Sequence, residues 1–114
     1  KHKICASTSF IINTINYYNQ VLATVDGEHK DWLRLFMMPG MGHCRGGVGP
    51  DQANFLGAME AWVENGTTPE RITASRIREG RVDMTRPLCA YPEVASWDGK
   101  GDANDAASYS CQVE

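Results

Sequence analysis

Ile11, Ile15, Tyr18, Leu22 and Val25 recur at steps of four, three, four and three. That spacing is one face of a helix. Asn13, Asn16, Asn19 and Gln20 fall mostly off the stripe, Ser9 is placed to cap its start and Gly27 to stop it. After a polar loop comes an apolar run over residues 32–38, interrupted only by Arg34. A run of this length without alternation predicts a central strand covered on both faces, ended by Pro39. Residues 39–50 hold five glycines and two prolines, which predicts tight turns or close backbone approach. Asp51 is placed to cap a second helix whose apolar face is Phe55, Met59, Trp62 and Val63, with Gly66 and Pro69 ending it. Residues 72–77 predict a short strand. From Arg78 onward, turn residues and short apolar pieces predict an irregular cap.

The order helix, strand, glycine-rich loop, helix belongs to an α/β layer fold. Composition changes this little. The 114 residues, 42% of them hydrophobic with three Trp, four Tyr and three Phe, suit one small domain with a modest core. A net charge of −3 gives no electrostatic case for nucleic acid. No apolar run approaches the roughly 20 residues that cross a bilayer, so no membrane partner is expected. The chain starts at Lys1 rather than Met, which points to a processed or truncated piece of a longer protein.

Cys5, Cys44, Cys89 and Cys111 form no Cys-x-x-Cys pair, and the adjacent His43 and Cys44 cannot easily face one metal. Disulfides and an oxidising compartment are the better expectation. A Cys89–Cys111 bridge would staple the tail; the two lie 22 positions apart. Chain entropy makes such a closure worth about 3 kcal/mol. Asn65-Gly66-Thr67 is a glycosylation sequon of a kind common by chance.

The candidate for chemistry is His43, five residues after Met38 in the glycine-rich loop. Loops at the carboxyl ends of strands collect functional groups in open α/β sheets, and an imidazole there can act as a general base. A plain surface histidine stays open on the residues alone. A phosphate-binding loop is disfavoured, since no Lys follows Gly49 and Asp51 would place negative charge at the helix start. Asp102, Asn104 and Asp105 lack the spacing of an EF-hand and suit a turn or cap. His2 and His29 sit in polar surroundings and are expected to be solvated, while Met37 and Met38 suit the core.

Arg34-Leu35-Phe36-Met37-Met38-Pro39-Gly40-Met41-Gly42-His43-Cys44 resembles the histidine segment of the tannase and feruloyl esterase family. So do Thr85-Arg86-Pro87-Leu88-Cys89-Ala90-Tyr91-Pro92, Gly101-Asp102-Ala103-Asn104-Asp105-Ala106-Ala107 and the helical Thr14-Ile15-Asn16-Tyr17-Tyr18. The resemblance implies the C-terminal fragment of an α/β-hydrolase fold, a single partial domain over residues 1–114. The parent would carry a large lid and a Ser-Asp-His triad cleaving esters of phenolic acids such as gallate and ferulate. It places the triad histidine at His43, supported by Gly40 and Gly42. It also makes Cys44 half of a disulfide whose partner directly precedes the nucleophilic Ser. In the mechanism, imidazole takes the Ser proton during attack and returns it to the leaving alcohol.

The departures are specific. No Gly-x-Ser-x-Gly elbow is present, and Ser7 and Ser9 lack glycine context. The triad Asp is expected just before the first helix, yet residues 1–10 hold no Asp or Glu, and residues 1–12 are expected to be non-homologous or disrupted. Asp26 and Asp31 follow the helix and are poor replacements. The expectation is therefore an inactive, marginally folded fragment of a secreted or periplasmic serine esterase. It would have an aromatic ester as the parent's substrate and no cofactor in this segment; a calcium site would belong to the parent's lid. The competing reading is a non-catalytic, disulfide-stapled secreted module, which needs a Cys5–Cys44 bridge as well as Cys89–Cys111. A metal-binding domain would instead require stoichiometric zinc.

Overall fold

The structure, a computed structural model, describes residues 11–25, 28–43 and 45–114. Helix α1 spans Ile11–Thr24. Its stripe behaves as the spacing requires: Tyr18 is buried with Leu33 and Leu35, and Ile15, Val21 and Leu22 pack around them. Ser9 and Gly27, its proposed cap and stop, lie outside the described residues.

Residues 32–38 do not form a central strand. Leu33 and Leu35 are buried against α1 while Trp32 is exposed. Among the described residues, the segment meets β structure at the isolated antiparallel bridge of Phe36 to Ala90 and through the Tyr91 amide, which donates to the Leu35 carbonyl at 2.8 Å. Alternating burial at Leu33 and Leu35 satisfies one face only. A strand needs partners on its edges, and among the described residues this run has one bridging residue. The sheet ladders are antiparallel throughout the described residues.

Helix α2 spans Phe55–Asn65 and buries Trp62. Its N-cap is Asn54, whose side-chain oxygen accepts from the Gly57 amide at 2.9 Å, rather than Asp51. Val63 is exposed, not part of the buried face. Gly66 ends the helix as expected, at φ 69°, and the Thr67 amide reaches back to the Ala61 carbonyl.

The tail is β structure, not an irregular cap. A short β1 (Gln52–Ala53) pairs with β2 (Arg71–Arg78), which pairs with β3 (Arg81–Cys89), giving the order β1-β2-β3. β2 and β3 are joined by Glu79 and Gly80, both at positive φ, the pattern of a two-residue hairpin turn. Pro87 sits opposite Thr73 in β3, at the edge of this sheet, where a missing N–H is tolerated. β4 (Glu93–Trp97) pairs with β5 (Tyr109–Val113) as a second ladder, after a 3₁₀ turn at Ala106–Ser108.

Side chains stitch the two ladders together. Arg71 donates to the carbonyls of Ala106 and Tyr109 at 2.7 and 3.1 Å, and Thr85 Oγ1 accepts from the Ala106 amide at 2.8 Å. Arg86 stacks over the Tyr109 ring at 4.4 Å and donates to the Ala103 carbonyl, which also accepts from the Tyr109 hydroxyl. The Arg86 Nε is buried and has no hydrogen-bond partner among the described residues. Cys89 and Cys111 are disulfide-bonded, as the spacing suggested. Asp105 caps the 3₁₀ turn through the Ala107 amide, and Asp102 accepts from the Asn104 amide, so these residues are the turn formers that their sequence context implied.

Candidate functional site

The glycine-rich loop is a small hairpin with His43 at its tip. The Gly49 amide donates to the Gly40 carbonyl at 2.9 Å, Met41 bridges Gly47, and the Gly42 amide donates to the Gly46 carbonyl at 2.8 Å. Two glycines explain why the backbone can close this way. Gly40 sits at φ 75°, a conformation that other residues rarely adopt. At Gly49 an added Cβ would collide with the Pro39 carbonyl oxygen. Met41 is buried beneath the loop and His43 is exposed at its turn.

Asp51, expected to cap a helix, instead holds this loop. Its Oδ2 accepts from the Gly46 amide at 2.7 Å, and its own amide donates to the Ser75 carbonyl of β2. Arg76 of β2 adds a second tie, donating to the Val48 carbonyl at 2.6 Å. Arg76 also forms a two-point ion pair with Asp83, Nε to Oδ1 at 2.8 Å and Nη2 to Oδ2 at 3.0 Å. The guanidinium hydrogen bonds hold the Asp83 carboxyl below its ordinary value, and the same contact raises the Arg76 value. Sequence reasoning passed over Arg76, Asp83 and Asp51 in these roles. Arg and Asp near a strand turn look like ordinary solvated charges until the register is known.

The sequence candidates are therefore only partly brought together. Gly40, Gly42 and His43 share one hairpin. Asp31 is exposed in a turn of its own. Cys5, Ser7, Ser9, Asp26 and Cys44 lie outside the described residues, so a Cys5–Cys44 pairing does too.

A cleft of about 620 Å³ lies elsewhere, lined by residues including Tyr18, His29, Arg34, Glu70, Tyr91 and Glu93, with none from the 40–49 loop. Tyr18 meets His29 and Tyr91 edge-on, with ring centroids 6.2 and 5.8 Å away. His29 is thus half-buried against an aromatic ring rather than solvated. Burial raises the Tyr18 hydroxyl value, with Arg34 opposing and Tyr91 adding to the shift. Among the described residues no cluster of His, Cys, Asp and Glu could hold a metal ion, and no helix is long and apolar enough to cross a membrane.

The sequence profile described as tannase and feruloyl esterase matches residues 8–112. The chain belongs to this family. The resemblance seen at residues 34–44, 85–92 and 101–107 is accordingly that of a family member. A mono(2-hydroxyethyl) terephthalate hydrolase of Piscinibacter sakaiensis is 40% identical over 103 residues, covering 88% of this chain and 17% of its own length. Feruloyl esterase B of Aspergillus niger is 31% identical over 113 residues, covering 83% and 22%. The crystal structure of feruloyl esterase B from Aspergillus oryzae superposes with a TM-score of 0.80 at 25% identity, covering 90% of this chain and 24% of that one. The mixed helix-and-strand fold of this family member is that of a part of those esterase domains, and its relatives are carboxylic ester hydrolases. The chain spans about a fifth of the length of the curated relatives it matches.

Proposed function

We propose that this chain is the histidine-bearing part of a serine carboxylic ester hydrolase acting on esters of phenolic or other aromatic acids. The observation that carries the reading is the His43 hairpin. The exposed imidazole stands at the apex of a loop closed by its own backbone hydrogen bonds, inside the stretch shared with known esterases. In this role His43 Nε2 or Nδ1 accepts the proton of a serine hydroxyl as the oxygen attacks the ester carbonyl. It then delivers that proton to the departing alcohol, so that acyl-enzyme formation and hydrolysis each use one imidazole twice. Cys44 would bridge to a cysteine beside that serine, fixing the nucleophile-to-base distance covalently. The aromatic acid class follows from the names of the relatives, several of which act on feruloyl esters. A secreted or periplasmic setting is supported by the Cys89–Cys111 disulfide.

Neither the nucleophile nor the triad carboxylate is assigned to a residue of this chain, which contains no Gly-x-Ser-x-Gly motif. The isolated chain is therefore expected to leave methyl ferulate and methyl gallate intact. Hydrolysis by the purified 114-residue chain that disappears in His43→Ala would refute the inactive-fragment reading. In the complete enzyme carrying this segment, His43→Ala should lower kcat at least a thousand-fold; a loss below ten-fold would remove His43 from the triad. Mass mapping separates the non-catalytic module: a native Cys5–Cys44 bridge would favour it over the severed esterase.

A further inference from the structure

We propose that Arg76, locked by Asp83, is a positioning residue for His43, holding the histidine hairpin onto the β2–β3 ladder. The inference rests on the reading of His43 as the acid/base. Its basis is one guanidinium that serves two structures at once. The Nε and Nη2 edge is taken by the Asp83 carboxylate, and the remaining Nη1 reaches the Val48 carbonyl, 28 positions earlier in the chain. Val48 lies in the returning limb of the histidine hairpin, next to Gly49, which closes on Gly40. The Val48 side chain is 74% exposed, so no packing of that side chain holds the limb in place. The Val48 carbonyl ties the limb to β2 through Arg76.

The register of the ladder explains how Asp83 comes to be there. Arg76 pairs with Met84 and Ile77 with Val82, which leaves Asp83 as the extra residue of a bulge between them. In a regular strand Asp83 and Met84 would point to opposite faces. The bulge lets the Asp83 carboxylate join the face of Arg76, and bulges commonly re-aim a side chain in this manner. An ordinary cross-strand ion pair on a surface contributes little and needs no such irregularity. Here the pair fixes the plane of the guanidinium so that its third donor is aimed at the loop. Asp51 acts alongside it, tying Gly46 on the other side of Val48 while its own amide is anchored to Ser75. The loop limb from Gly46 to Asp51 is thus held at two carbonyl or amide positions from the same strand.

A lysine at position 76 is a point charge that cannot hold Asp83 and the Val48 carbonyl in one plane, so it should restore only part of the function. The test has two arms. In the 114-residue chain, Arg76→Met should speed amide exchange at Gly42 and Gly49 at least ten-fold and leave Ala58 and Trp62 of α2 unchanged. In the complete enzyme, the same variant should lower kcat on methyl ferulate by ten- to a hundred-fold with KM within two-fold, as expected when a base is misplaced rather than binding lost. Arg76→Lys and Asp83→Asn should fall between this variant and the wild type in both arms. Unchanged exchange at Gly42 and Gly49, or unchanged kcat where His43→Ala is inactive, overturns the inference while the role of His43 stands. Full activity of both Arg76→Met and His43→Ala overturns the role of His43 and the inference with it. If Arg76→Met exchanges its α2 amides rapidly, it has unfolded, and the Arg76→Lys and Asp83→Asn ratios decide the matter by the same criteria.

Discussion

From Arg71 to Val113 the chain is held by its own backbone ladders, by arginine side chains that cap carbonyls across the ladders, and by a covalent bridge. Residues 11–25 and 28–43 are held differently. Helix α1 and the extended segment after it share a small side-chain core of Tyr18, Leu33 and Leu35, and reach the tail at Leu35, Phe36 and Tyr91. The first region pairs most of its strand backbone within its own ladders. The second has one bridging residue in its extended run among the described residues, and side-chain burial supplies most of its contacts. The His43 hairpin follows the second region and is fastened to the first. In the proposed role of His43, holding the base would thus fall to the ladder-rich region.

Truncating two equally buried leucines probes that contrast most strongly. Leu88→Ala, at a site 1% exposed in β3, should lower unfolding stability by about 3 kcal/mol. Leu35→Ala, 2% exposed, removes as many methyl groups but should loosen only α1 and its partner segment, leaving β3 amides protected from exchange. If both variants release β2 and β3 amides together, the two regions unfold as one unit and the contrast is lost. Replacing Cys89 and Cys111 together by Ser should cost a similar or slightly smaller amount, about 3 kcal/mol, read as a lower denaturant midpoint for β4 and β5. An unmoved midpoint would mean that the arginine and backbone contacts hold the tail unaided.

Asn54→Ala should cost about 1 kcal/mol by freeing the Gly57 amide, measured by thermal melting, and should leave the His43 loop amides unchanged. The smallest effect is expected from acid. The Arg76 hydrogen bonds depress the Asp83 value, and the Gly101 and Lys100 amides depress that of Asp98. A depressed carboxyl stabilises the fold above its unfolded value, and that contribution is lost as pH falls through the folded value. Stability should therefore be flat around neutrality and decline below about pH 4. Asp98→Asn and Asp83→Asn should each flatten that decline; an unaltered acid limb in both would assign it to other carboxyls.

Periodicity found both helices because each packs one face, as Tyr18 and Trp62 show, and Gly66 gave α2 a local stop signal. It failed at residues 32–38 because burial of Leu33 and Leu35 on one side resembles, in sequence, burial on two. It failed again past Arg78, where charges and Pro87 hid β3; Glu79-Gly80 between two runs was the available signal for a hairpin. The tight loop that Gly40, Gly42 and His43 share was legible from its glycines, and His43 as its candidate base came from loop chemistry and likeness to the family. Asp51, Arg76 and Asp83 were not, since their partners are carbonyls, amides and a bulge that only three-dimensional register reveals.

The two-residue turn at Glu79 and Gly80 has a consequence for the order of events during folding. Arg78 and Arg81 face each other with almost no chain to close between them, so β2 and β3 can zip outward from that point at little entropic cost. The zipper reaches Arg76 and Asp83 early and Cys89 late, at its far end. The anchor for the histidine hairpin is then assembled before the distant Gly40 to Asp51 segment arrives, and thiol oxidation records a structure already formed. Pulse-labelled hydrogen exchange during refolding should accordingly protect the amides next to the turn before those near Cys89; the reverse order would mean that the bridge guides the strands.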